Sequence, residues 1–165
     1  MIPFKLITIA LVPPIINPFI QRRKEDFIPL GLMSLAAGLE KKHTVKIYFP
    51  TRRLFNANDY RVVAQQLLKL QPDIVGFSTW CISYPTSLLI AKAIKNANSK
   101  ISVIFGGPQA SVLAPKTLQN FPQVDFVLTG EADYSFQRFV EEWKKEQPDF
   151  HSVPGLYYSD VNNQI

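Results

Sequence analysis

The chain has 165 residues, the size of one domain, and its 47% hydrophobic against 19% charged residues excludes a disordered polymer and suffices for a core. The formal charge of +5 is spread over short runs such as Arg22-Arg23-Lys24 and Arg52-Arg53 with acidic residues between them, which reads as solvated loop faces and not as a nucleic-acid footprint. A single cysteine, Cys81, excludes a disulfide framework, a CxxC pair and a cysteine-held iron–sulfur cluster within this chain alone, and fits a reducing cytoplasm.

Leu6 to Val12 reads as a continuous buried strand, stopped by Pro13 and Pro14 because proline neither donates to a ladder nor continues one. The apolar stretch to Ile20 is broken by these prolines and by Pro18, so it enters a loop and does not span a membrane. Pro13 to Leu30 is a long loop of the kind that serves as a lid or binding loop. Gly31 to Leu39 has helical apolar spacing. Val45 to Phe49 alternates, as a half-exposed edge strand does, and Pro50 closes it. Asp59 caps a helix from about Tyr60 to Leu70. Strand Ile74 to Ser78, helix Pro85 to Ala97 and strand Ile101 to Phe105 follow. Helical character begins near Ser111, with a short helix around Pro115 to Asn120. A fifth strand, Val124 to Leu128, precedes an amphipathic helix from Tyr134 to Glu146 that turns Phe136, Phe139, Val140 and Trp143 inward.

Such alternation predicts an α/β fold, a doubly wound, Rossmann-like (flavodoxin-like) five-stranded parallel sheet with right-handed crossovers and helices on both faces. After Pro148 the pattern changes. Gly155 to Ile165 reads as a strand, an Asn162-Asn163 turn and the start of a return strand, so residues 1–148 form the α/β domain and 149–165 the start of a linker hairpin. A chain stopping in mid-hairpin is expected to be the front part of a longer polypeptide.

In open parallel sheets ligands sit outside the carboxyl ends of the strands, near the point where strand order reverses. Two turns point there. Gly106-Gly107-Pro108-Gln109 removes two Cβ atoms where a strand emerges, which allows a flat ligand or a backbone to approach closely. Ser78-Thr79-Trp80-Cys81 reaches the same rim from the third strand. Three common owners of such a sheet lack their chemistry here. A phospho-receiver needs acidic residues where Val12-Pro13-Pro14 stands and an aspartate in place of Ser78. A flavodoxin needs a phosphate loop of small polar residues after the first strand, and a dinucleotide-binding domain needs GxGxxG in its first turn.

Four ordered segments, Ile28-Pro29-Leu30-Gly31-Leu32-Met33-Ser34, Asp73-Ile74-Val75-Gly76-Phe77-Ser78, Val103-Ile104-Phe105-Gly106-Gly107-Pro108 and Val124-Asp125-Phe126-Val127-Leu128-Thr129-Gly130-Glu131, resemble the cobalamin (vitamin B12)-binding domain at the N-terminus of many radical S-adenosylmethionine (SAM) enzymes. Val153-Pro154-Gly155-Leu156-Tyr157-Tyr158 is similar to the short hairpin that links it to the radical domain. The resemblance covers nearly the whole chain. It implies cobalamin across the rim, its nucleotide tail beside the sheet in space left by Gly106 and Gly107, Ser78 bonding near the tail, Thr79 and Trp80 bordering the corrin, and Pro108, Gln109, Gly130 and Glu131 completing the site. It further implies a radical SAM catalytic domain as partner, in cis or in trans, with S-adenosylmethionine and the 4Fe-4S cluster held only there and methyl transfer as the activity of the whole.

The DxHxxG motif that supplies a histidine to cobalt in better-known carriers is absent, since Pro13 to Pro29 holds no histidine. Cobalamin is then expected to bind without a protein histidine, and no residue of this chain is read as a metal ligand. The CxxxCxxC cluster motif is also absent, and no nucleophile–base pair stands at compatible positions, so catalysis is not expected of this chain alone. Plainer readings stay open: Gly106-Gly107 for helix–sheet packing, Ser78 as a backbone cap, Trp80 as a buried ring and Glu131 as a helix-dipole charge. The alternative function is a degenerate α/β docking or substrate-capping module that binds no cobalamin.

Overall fold

The computed structural model describes residues 5–15, 28–49 and 59–159. Most of the Pro13 to Leu30 loop and the return strand after Asn163 lie outside them. The strands are β1 (Thr8–Val12), β2 (Thr44–Ile47), β3 (Ile74–Ser78), β4 (Ser102–Gly106), β5 (Phe126–Leu128) and β6 (Leu156–Tyr158). The helices are α1 (Leu30–Leu39), α2 (Asp59–Leu68), α3 (Tyr84–Ala97), α4 (Pro108–Asn120) and α5 (Asp133–Trp143), with a 3-10 turn at Phe150–Ser152.

They form one six-stranded sheet in the order β2-β1-β3-β4-β5-β6. The first five strands are parallel, as the βα alternation requires, and β2 lies at an edge as its alternating pattern predicts. β6 adds itself antiparallel to β5, so the strand expected to open a linker hairpin is hydrogen-bonded into the same sheet. Strand order reverses between β1 and β3.

Alternation along the strands divides the core in two. Ile7, Ile9, Leu11, Ile74, Ile104 and Leu128 face α1 and α5, where Leu32, Leu39, Phe136, Phe139 and Val140 cover them. Ala10, Val12, Val75, Phe77, Val103 and Phe105 face α2, α3 and α4, packing against Val63, Leu67, Ile90, Ile94 and Ala114. On the first face α1 and α5 lie close together. Ser34 donates its hydroxyl hydrogen to Asp133, and the Gln137 side chain occupies the space that a Cβ at Gly38 would need.

Helix α4 begins at Pro108, earlier than the sequence suggests. Gly107 is its N-cap, with φ 90°, and Pro108 takes the first turn, where a missing N–H costs nothing. Pro115 lies inside the helix, forgoing only a bond to the Ser111 carbonyl. Thr79 supplies the cap that Gly107 has no side chain to provide. Its hydroxyl donates to Gly106 O at 2.9 Å and accepts from Ala110 N at 3.2 Å, while its backbone N donates to Gly106 O at 2.8 Å and its carbonyl accepts from Gln109 N at 3.2 Å. A Cβ at Gly107 would stand 2.8 Å from both Thr79 N and Thr79 O. The glycine there is required by the neighbouring backbone.

Beyond α5 the chain is held by Glu142, whose side chain is fully buried. Its carboxylate accepts from Lys145 Nζ at 2.7 Å, pairs with Arg138 at 3.0 Å and accepts from Asp149 N at 3.0 Å. The Lys145 hydrogen bond, then the Asp149 N–H, hold its pKa below the ordinary carboxylate value.

Two outcomes follow from these contacts. Gly107→Ala is expected to cost about 1–3 kcal/mol through left-handed backbone strain, before any clash is added. Gly106→Ala, whose Cβ would meet nothing closer than Leu128 O at 3.6 Å, is expected to change stability little. Urea unfolding of both proteins compares them, and equal stability would show that the approach of Thr79 to Gly107 does not require a glycine there. For Glu142, a depressed folded pKa means that stabilisation is complete above the ordinary value of 4.5 and is lost as pH falls through the lower folded value. Glu142→Gln should therefore flatten the acid limb of a thermal-midpoint profile, and an unchanged slope would assign acid sensitivity elsewhere.

Candidate cofactor site at the sheet rim

A cavity of about 190 Å³ opens at the carboxyl ends of β3, β4 and β5, between α1 and α5. Its floor is a row across the sheet, Leu11 beside Gly76 beside Ile104, together with Leu128, which lies two residues nearer the rim than the neighbour of Ile104 on β5. A Cβ at Gly76 would meet Leu11 Cδ2 at 3.1 Å and Ile104 Cγ2 at 3.5 Å, so these two side chains lean in over the glycine. A side chain at 76 would push them up into the cavity. Leu32 and Leu35 form the wall on α1, and Ala132 and Phe136 the wall on the α5 side. The volume is below the roughly 300 Å³ at which sites begin to enclose a whole drug-sized ligand, so it suits one flat ring system and not a macrocycle.

Polar groups gather at the mouth. Ser78 continues the face of Gly76, and Gly106 that of Ile104, which places both on the cavity side of the sheet. Gly107, Gly130, Glu131 and Asp133 complete the opening. Gly130 takes φ 73°, the left-handed turn for which glycine is suited, and its N–H approaches Ser111 Oγ at 3.4 Å. Asp133 stands in the first turn of α5, where its charge suits the helix dipole while it accepts the Ser34 hydrogen bond.

Of the residues singled out in the sequence, Ser78, Gly106, Gly107, Gly130 and Glu131 meet around this mouth. Thr79, Trp80, Pro108 and Gln109 are not in the lining. One residue along a strand reverses the facing, so Thr79 turns away from Ser78, is fully buried and spends its hydroxyl on Gly106 and Ala110. Trp80 is half-buried in the turn before α3, its backbone N donating to Ser83 Oγ at 2.9 Å. Pro108 and Gln109 form the first turn of α4, with the Gln109 N–H given to Thr79. The residues missed by sequence reasoning are the floor and walls, Leu11, Leu32, Leu35, Gly76, Ile104, Leu128 and Phe136, which look like core. Gly76 carried the available signal, because glycine within a buried strand marks a close approach.

Both histidines lie toward the opposite end of the sheet. His43 is buried just before β2, near Lys144, and burial together with that cation lowers its pKa. His151 is in the 3-10 turn with its ring 5.6 Å from that of Tyr158. Exposed apolar side chains stand on the rim elements: Leu30 and Met33 on α1, Ile82 after β3, Val112 on α4 and Tyr134 on α5. Among the described residues, no helix is long and apolar enough to cross a membrane.

The family model for the B12 binding domain matches residues 16–140. An uncharacterized methyltransferase of Pyrococcus horikoshii, PH0819, is 30% identical over 132 residues, which cover 80% of this chain and 28% of that protein. The cobalamin-dependent radical SAM methyltransferase TokK of Streptomyces tokunonensis is 24% identical over 87 residues, covering 53% of this chain and 13% of TokK. The chain thus spans well under a third of either relative. Among solved structures, the cobalamin-dependent S-adenosylmethionine radical enzyme OxsB, with aqua-cobalamin and S-adenosylmethionine bound, aligns with a TM-score of 0.76 at 20% identity over 98% of this chain and 22% of OxsB, which shows a shared fold. By this match over most of its length, the chain belongs to the B12-binding domain family and is related to cobalamin-dependent radical SAM methyltransferases.

Proposed function

We propose that the domain holds cobalamin at the rim, with the nucleotide tail in the cavity between α1 and α5 and the corrin over the strand ends. The observation that carries this reading is the cavity itself, apolar within, polar at its mouth and sized for a flat ring system. Its donor set fits the group. Ser78 offers a hydroxyl at the opening, Gly106 leaves space on the cavity side, and the Gly130-Glu131 turn supplies an edge that approaches without a Cβ at 130. Ser34 and Asp133 fix the separation of the flanking helices. Thr79 and Gln109 hold the β4–α4 turn in place from behind.

When bound, cobalamin supplies a cobalt centre that carries a methyl group. In this chain no histidine serves as its ligand, a reading supported by the placement of His43 and His151 away from the mouth. The parent activity is of the radical SAM methyltransferase type, in the cytoplasm, with S-adenosylmethionine and the 4Fe-4S cluster on a catalytic domain supplied in cis or in trans. Residues 1–148 act as the cofactor domain and 149–165 as the beginning of its linker. The exposed apolar residues of the rim favour a second reading, a docking or capping module without cobalamin.

Mixing the chain with hydroxocobalamin and removing free ligand by gel filtration separates the two. The expected result is about one corrin per chain. In Gly106→Val, which fills the cavity side of β4, the colour should be lost while the far-UV spectrum and unfolding midpoint stay near those of the parent. A folded, colourless parent protein would leave the docking reading.

A further inference from the structure

We propose that the cavity selects among corrinoids by the base that ends their nucleotide tail, accepting an apolar benzimidazole and discriminating against a purine. The inference rests on a corrinoid tail occupying this cavity. Corrinoids with one macrocycle differ in this base: a benzimidazole presents a hydrocarbon ring at its far edge, whereas adenine presents an exocyclic amine and further ring nitrogens.

Among the described residues, the interior has nothing to offer such groups. Leu11, Gly76 and Ile104 form the floor, and each lies in a strand paired on both sides, Leu11 between Ile47 and Gly76, Gly76 between Leu11 and Ile104, Ile104 between Gly76 and Phe126. Their backbone groups face along the ladders and are committed to them. The side walls are the hydrocarbon of Leu35 and Phe136 and their neighbours. Ser78, Glu131 and Asp133 stand at the mouth, and Asp133 already accepts a hydrogen bond from Ser34. A polar edge carried inward past them loses its water and gains no partner, which costs about tenfold or more in affinity. A hydrocarbon edge gains by the same burial.

The test is a titration of the full chain with three ligands: hydroxocobalamin, the cobamide that carries adenine, and cobinamide, which lacks the nucleotide. Cobalamin should bind at least about tenfold tighter than the adenine cobamide, and tighter than cobinamide. In Leu35→Gln, a substitution at a half-buried helical site between residues of similar helix propensity, the new amide offers a partner, and the gap between the two bases should narrow by about threefold or more. Equal affinity for the two bases would overturn the selection while leaving cobalamin as the ligand. Cobinamide binding as tightly as cobalamin would place the tail outside the cavity and overturn it too. Failure of all three to bind would overturn the occupant itself.

Discussion

The rim depends on the Thr79 hydroxyl, which bridges the end of one strand and the start of the helix that follows it. It donates to the Gly106 carbonyl at the end of β4 and accepts the Ala110 amide in the first turn of α4. Helix N-termini leave such amides without partners, and the usual cap is a side chain on the preceding residue. Here that residue is Gly107, which has none. A glycine is needed because Thr79 backbone atoms approach so closely, and the same approach lets Thr79 provide the cap from another strand. One contact thereby sets the turn after β3, the end of β4 and the start of α4. Ser78 and Gly106 face the cavity because Thr79 and Phe105 face away from it.

A cavity between a sheet and two helices is ordinarily closed by side chains, since interiors are packed like organic crystals. Three features keep this one open. Gly76 lets Leu11 and Ile104 settle low over the floor, Gly106 withholds a side chain from the rim, and Ala132 contributes little bulk at the start of α5. The two helices do not collapse together because Ser34 and Asp133 meet on one side of the gap and Gln137 lies over Gly38 farther along. The hollow is thus maintained by small residues within the core and polar contacts at its margin.

The fold was legible because the central parallel strands β1, β3 and β4 are buried on both faces and read as apolar runs, while α5 carries its aromatics on one side. The edge position of β2 followed from alternation alone. The beginning of α4 was not legible, since Pro115 resembles a helix start and the actual cap comes from a residue far away in sequence. The rim glycines and Ser78 were found because polar and small residues at strand ends stand out. The floor was hidden because Leu11, Ile104 and Leu128 differ in no way from core residues until the neighbours across the sheet are known. Thr79 was grouped with Ser78 by adjacency, although in a strand adjacent residues face opposite ways.

The far side of the mouth draws its order from a part of the chain that follows α5. Thr129 donates both its backbone N–H, at 2.9 Å, and its hydroxyl, at 3.0 Å, to the carbonyl of Gly155. Gly155 has φ 71°, and a Cβ there would stand 2.7 Å from Thr129 O, so the two turns are in direct backbone contact. Thr129 is followed at once by Gly130 and Glu131 at the cavity opening. The segment carrying Gly155 is itself fixed by Glu142 to Asp149 and by Arg138 to Ser152, and it continues into β6 on the sheet edge. A displacement of β6 cannot leave the Gly130-Glu131 turn where it is without breaking both Thr129 bonds. The opening of the cavity and the strand that leads onward from it therefore form one mechanical unit.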